Sequence, residues 1–153
     1  LTVLFILSVA PIPTVAPFAT VLHNYLTTLS VAPSVAMKRF VIEMGMGIDQ
    51  HGQDPTVAAA RAVRNAIAHN ALPGIWEVAR LNHPDEMIVE VQVAVPYADQ
   101  VRQDEVLAVL PFGQKSLTLE TGGMVVQGRA IESLDDRNDE MLIAVAAVTV
   151  WVK

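Results

Sequence analysis

Between Lys38 and His69 the spacing of apolar residues changes once, across the eight residues Gly45-Met46-Gly47-Ile48-Asp49-Gln50-His51-Gly52. From Lys38 to Met46 the chain alternates, with Phe40, Ile42 and Met44 on one side and Arg39, Val41 and Glu43 on the other, which is the period of a strand. Asp54-Pro55 then offers an N-cap followed by proline at the first helical position. Thr56 to His69 continues as an alanine-rich helix whose apolar stripe is Ala59, Ala62, Val63, Ala66 and Ile67, leaving Arg61, Arg64 and Asn65 on a polar face. Side chains this small permit close packing on a sheet. Asn70 and Pro73-Gly74 mark the stop.

Trp76 to Leu81 and Met87 to Val95 read as two strands joined by Asn82-His83-Pro84-Asp85-Glu86, which predicts an antiparallel hairpin. Asp104 to Leu110 suits a short helix. Lys115 to Thr121 and Met124 to Ala130 read as a further strand pair, with Gly122-Gly123 as its two-residue turn. The valine-rich run Met141 to Val152 suits a strand buried on both faces. The expected fold is α+β, a mostly antiparallel sheet with one long and one short helix packed on one face. Two helices cannot cover five or six strands, so a cyclic homo-oligomer is the economical way to protect the rest, a monomer covered by its own extension or loops being the other.

The charge distribution sets the expected domain limits. All ten Lys and Arg and all sixteen Asp and Glu lie from Lys38 onward. Residues 37–153 are therefore expected to form one α+β domain, and residues 1–36 an apolar, proline-containing extension outside it. Leu1 to Ala10 resembles a signal-peptide core but lacks a basic flank, and Pro11, Pro13 and Pro17 interrupt it before it could span a bilayer. With Met37 standing where globular composition begins, an upstream extension is one reading and a targeting prefix the other. The expected location is cytoplasmic, or organellar or exported if the prefix is genuine, with no membrane partner for residues 37–153. The net charge of -6 and the scattered basic residues argue against a nucleic-acid partner.

Chemistry concentrates in the glycine-rich octet. Asp49 and His51 stand two apart, so in an extended segment both side chains project to one side and could share a cation. With no cysteine in the chain, any metal is held by nitrogen and oxygen, which suits zinc, manganese or iron. A third ligand would come from His69, His83, Glu43 or a neighbouring subunit. Bound metal would activate water or polarise a carbonyl or phosphoryl oxygen, giving a hydrolase or lyase. The same pair could instead do general acid-base work without metal, or simply hold a loop together. Gly45, Gly47 and Gly52 precede a helix N-terminus, where a small anionic ligand is favoured and Arg61 could be recruited to it. A non-catalytic ligand-binding or structural homo-oligomer is the alternative class.

The run Glu43-Met44-Gly45-Met46-Gly47-Ile48-Asp49-Gln50-His51-Gly52-Gln53-Asp54-Pro55-Thr56, with Ala60-Arg61-Ala62-Val63 and Leu72-Pro73, resembles a conserved hypothetical family of bacteria and plants first described from a Listeria protein and defined by a G-x-G-x-D-x-H-G motif. The resemblance implies a domain from Met37 to the C-terminus and supplies no reaction. A weaker, local similarity is to methylerythritol cyclodiphosphate synthases, which place G-x-G-x-D-x-H after their first strand and use that Asp and His as metal ligands. It implies metal-ligand roles for Asp49 and His51, and His83 stands at the distance of that family's third ligand, although the surrounding S-D-G-D pattern is absent.

Overall fold

The computed structural model describes residues 36–153; the expected extension over residues 1–36 lies, apart from Ala36, outside the described residues. Five strands, β1 (Lys38–Asp49), β2 (Ile88–Val95), β3 (Gln114–Thr121), β4 (Met124–Gln127) and β5 (Glu140–Val152), form one sheet in the order β1-β5-β2-β3, with β4 also on β5. The helices are α1 (Pro55–Ala68), α2 (Gly74–Glu77) and α3 (Gln103–Leu107). β5 runs antiparallel to β1, β2 and β4, whereas β2 and β3 are parallel. The expected mostly antiparallel α+β sheet is therefore present with a different wiring.

Three local expectations are corrected. Residues 76–81 form no strand, because Pro73-Gly74 starts a helical turn and Arg80 takes a left-handed φ of 54°, so the hairpin to β2 does not exist. Gly122-Gly123 is not a hairpin turn. Thr121 ends beside Val95, the Gly122 N–H donates to the Val95 carbonyl at 3.2 Å, and the chain then crosses the end of β2 and continues in its line as β4. The crossing presses Gly123, at φ 70°, so close to Ile143 that a Cβ would stand 2.1 Å from its carbonyl oxygen. Third, β5 is buried on one face only: Leu142, Ala144, Ala146, Val148, Val150 and Val152 point to the core, while Val145 on the other face is exposed.

That core lies between the sheet and α1. Ala58, Ala59, Ala62, Val63 and Ala66 meet Val91, Val93 and Val95 of β2 and the inward residues of β5. Each such valine contributes about 1.5–3 kcal/mol by leaving water. β1 approaches closest, through Gly45 and Gly47. A Cβ on Gly45 would stand 2.3 Å from the Ala66 nitrogen, and one on Gly47 would stand 2.2 Å from the Ala58 oxygen. The glycines let helix and strand backbones touch.

The alternation of β1 consequently runs opposite to ordinary burial. Glu43, Gly45, Gly47 and Asp49 face the helix, while Ile42, Met44 and Met46 are 49%, 75% and 53% exposed on the open side. A bulge between Arg39 and Val41 shifts the register, and Phe40 packs against the core beneath Gly74. As an edge strand β1 leaves backbone groups unpaired. α1 covers two of them: the Met46 N–H donates to Asn65 Oδ1 at 3.0 Å, and Arg61 Nη1 donates to the Ile48 carbonyl at 2.6 Å. Arg61 and Asn65, expected on a polar face, blunt the sheet edge.

Candidate functional site

β1 ends in Asp49, 3% exposed, whose Oδ2 accepts the Asp54 N–H at 2.9 Å and whose Oδ1 accepts from Arg61 Nη1 at 2.8 Å. Asp49 thus ties the end of the strand to the start of α1. Asp54 continues the connection as the N-cap: Oδ1 accepts the Thr56 N–H at 2.8 Å and Oδ2 pairs with Arg102 at 2.8 Å. Burial works to raise the Asp54 pKa, but bonds from Arg102 and Thr56 outweigh it and hold the carboxyl below its ordinary value.

Between them the chain bulges outward. Gly52 and Gln53 both take left-handed φ values, 86° and 48°, and His51 is turned toward the loop that precedes β5. There its Nδ1 lies 3.0 Å from Asp136 Oδ2. The Asp136 carboxylate, 1% exposed, also accepts from the Gly52 N–H at 2.9 Å, the Ile131 N–H at 2.7 Å and Gln53 Nε2 at 3.1 Å. Desolvation pushes its pKa up, and the bonds from His51, Ile131, Gly52 and Gln53 overcome that, holding it well below the usual carboxylate range. An ionised carboxylate only accepts, so Nδ1 carries the proton in this pair. In the neutral ring the lone pair then sits on Nε2, and the side chain is 40% exposed.

Gln53 connects this pair to a small polar pocket. Its Oε1 accepts the Arg137 N–H at 2.7 Å, and with Tyr97, Gln100, Arg137, Asn138 and Glu140 it lines a space of about 210 Å³. The Tyr97 hydroxyl donates to Glu140 Oε2 at 3.0 Å, which raises the phenol pKa. Three non-glycine residues with left-handed backbone, Gln53, Tyr97 and Asp135, surround this corner. Such conformations cost of order 1 kcal/mol each and concentrate where geometry serves a site.

The other expected site residues are placed elsewhere. Gly45 and Gly47 face α1 rather than open space; only Gly52 of the three meets nothing, and its N–H serves Asp136. Arg61 is engaged by Asp49 and Ile48. His69 lies at the far end of α1 with its Nε2 2.9 Å from the Asn65 amide, roughly 20 Å along the helix from the corner. His83 caps the turn Pro84–Glu86, its Nδ1 accepting the Asp85 N–H at 3.3 Å, and Glu43 accepts from Asn70. Among the described residues no three His, Asp or Glu side chains are grouped to hold a metal ion, and both Asp49 oxygens already have partners. The sequence reading missed Asp136, Gln53 and Tyr97.

A family model described as "Conserved hypothetical protein (Lin0512_fam)" matches residues 39–150. The chain belongs to the Lin0512 family. No curated protein matches it. Among solved structures, this Lin0512 member is similar to a crystal structure of an FtsZ-like protein of unknown function from Nostoc punctiforme, at 76% identity over 77% of this chain and 98% of that one, with a TM-score of 0.72. The weaker likeness to cyclodiphosphate synthases rests on the D-x-H spacing alone, since His83 is placed as a turn cap. No helix among the described residues is long and apolar enough to cross a membrane.

Proposed function

We propose that this Lin0512 protein is an acid-base enzyme, a hydrolase or lyase acting on a small anionic metabolite, with His51 as its working group and Asp136 as the residue that positions it. The supporting observation is the occluded Asp136 carboxylate, which receives His51 Nδ1 at 3.0 Å and three further N–H groups while the imidazole stays accessible. A carboxylate that fixes the tautomer and tilt of a histidine leaves Nε2 free to take or give a proton. Arg137 supplies positive charge at the adjoining pocket.

The test is a turnover screen over small phosphate esters and hydroxycarboxylates, with His51→Gln and Asp136→Asn beside wild type. General acid-base catalysis contributes about 10²–10⁴-fold, so each substitution is expected to remove turnover by that order. Turnover that survives His51→Gln refutes the reading.

One observation favours the non-catalytic alternative, a homo-oligomer. The open sheet face presents Ile42, Met44 and Met46 beside Val145, an exposed apolar strip of the kind that marks association surfaces. The two readings are compatible, because the strip lies on the opposite face from α1.

A further inference from the structure

Glu43 is the one carboxylate that β1 sends into an apolar environment. It is 5% exposed, and its Oε1 accepts a single hydrogen bond, from Asn70 Nδ2 at 3.0 Å. Its other oxygen has no hydrogen-bond partner among the described residues and is not sealed from solvent. Both residues line a cavity of about 320 Å³ at the C-terminal end of α1, away from His51. Val89 and Val148 of the sheet form the floor, and Ile67, Leu72 and Ile75 the wall. Trp76 and Phe112, both largely exposed, stand at its rim. The space is at the lower end of small-ligand sites, which are mostly apolar with a few converging polar groups.

From this we infer a binding site for a small organic cation, a primary ammonium carried on an aromatic or branched aliphatic body. Asn70 engages one of the two carboxylate oxygens, and the other has no protein donor among the described residues. An ammonium group would supply both the opposite charge and the missing donors, while its body fills the apolar volume. Trp76 and Phe112 offer ring faces that attract cations and cover apolar groups. The same carboxylate repels anions, so the site selects the opposite charge from the one proposed at Arg137 and stands independently of that reading.

The experiment titrates the full chain with 2-phenylethylammonium and, as a matched anion, 3-phenylpropionate. Calorimetry is used together with the fluorescence of Trp76 in a Trp151→Phe background; Trp151 lies on the open face, with Arg39 4.9 Å from its ring. The ammonium compound is expected to bind saturably and shift Trp76 emission, and the carboxylate to do neither. Glu43→Gln should weaken binding by about tenfold to a hundredfold. Trp76→Ala, a change at an exposed position, should weaken it severalfold without altering the fold. No saturable binding by wild type, equal binding of the anion, or ammonium binding unaffected by either substitution in folded protein overturns the assignment.

Discussion

Replacing Gly45 or Gly47 by alanine tests the closest contact in the fold. The added Cβ would lie 2.3 Å from the Ala66 nitrogen and 2.4 Å from the Ala62 oxygen in the first case, and 2.2 Å from both the Ala58 oxygen and the Ala62 nitrogen in the second. These are backbone atoms of α1 and cannot rotate away, so the helix must retreat by about 1 Å. A gap of that size forfeits roughly a quarter to a half of the dispersion energy across the separated surfaces. Five buried residues of α1, from Ala58 to Ala66, share those surfaces. Overpacking costs about 1–3 kcal/mol where side chains can yield, and rigid backbone places each substitution at the upper end, about 3 kcal/mol. Lower entropy of the unfolded alanine chain returns about 0.5–1 kcal/mol, leaving a net loss near 2 kcal/mol. Urea unfolding followed by circular dichroism measures this, and thermal unfolding should show a fall in Tm on the order of 10 °C. A single retreat of the helix accommodates both methyl groups, so the double substitution should cost at least about 1 kcal/mol less than the two singles added. Gly52→Ala is the control: nothing lies within 4 Å, and only its φ of 86° resists, at about 1 kcal/mol. Singles within about 0.5 kcal/mol of wild type, or full additivity of the pair, refute the contact as the reason for these glycines.

Asp136 has a folded pKa below its ordinary value of 3.8, so its contribution to stability is complete above that value and is lost as pH falls through and below it. Calorimetric Tm should drop steeply on acidification below about pH 4, and Asp136→Asn should lower Tm at neutral pH while flattening the drop; parallel profiles would contradict this. Arg61→Ala leaves the buried Asp49 with only the Asp54 N–H and uncovers the Ile48 carbonyl, a loss of about 2 kcal/mol in urea unfolding after allowing for the half-exposed guanidinium. An unchanged midpoint would mean that water replaces Arg61 without cost. Met44→Glu, at the most exposed position of the apolar strip, should dissociate an oligomer in light scattering while changing the folding free energy of the protomer by less than about 0.5 kcal/mol. A protein that is monomeric before the substitution removes the strip as an association surface.

Much of the fold could be read where the signal is local. Asp54-Pro55 starts α1, and β2 and β5 lie where their valine patterns predict. Strand partners could not be read, because both hairpin expectations assumed that sequence neighbours pair, whereas β5 occupies the centre and draws β1, β2 and β4 to itself. For the site, composition marked Asp49 and His51, but their shared side required the segment between them to stay extended. The strand ends at Asp49, and the left-handed pair Gly52-Gln53 gives the two side chains different partners. Asp136 sits 85 positions from His51 in an acidic loop that resembles any solvated turn, so no spacing rule reaches it.

The G-x-G-x-D-x-H-G motif therefore divides by mechanical role. Its first five residues belong to a strand in which every second position faces a helix: two glycines because α1 leaves no room for a Cβ, then Asp49 because the helix brings Arg61 to that level. Its last residues leave the strand, and there glycine serves a left-handed turn and an N–H aimed at Asp136. The packing half fixes where α1 begins, and the turn half fixes His51 relative to that start. A loosened helix should thus misplace the imidazole before it unfolds the domain. Gly47→Ala is expected to weaken the His51–Asp136 contact at temperatures where the protein remains folded, seen as a change in the Nδ1 proton resonance of His51, whereas Gly113→Ala, beside Val89 at the other end of the sheet, should leave that resonance unmoved. A resonance equally insensitive to both substitutions would show that the corner is held by its own loop and owes nothing to the glycine-packed helix.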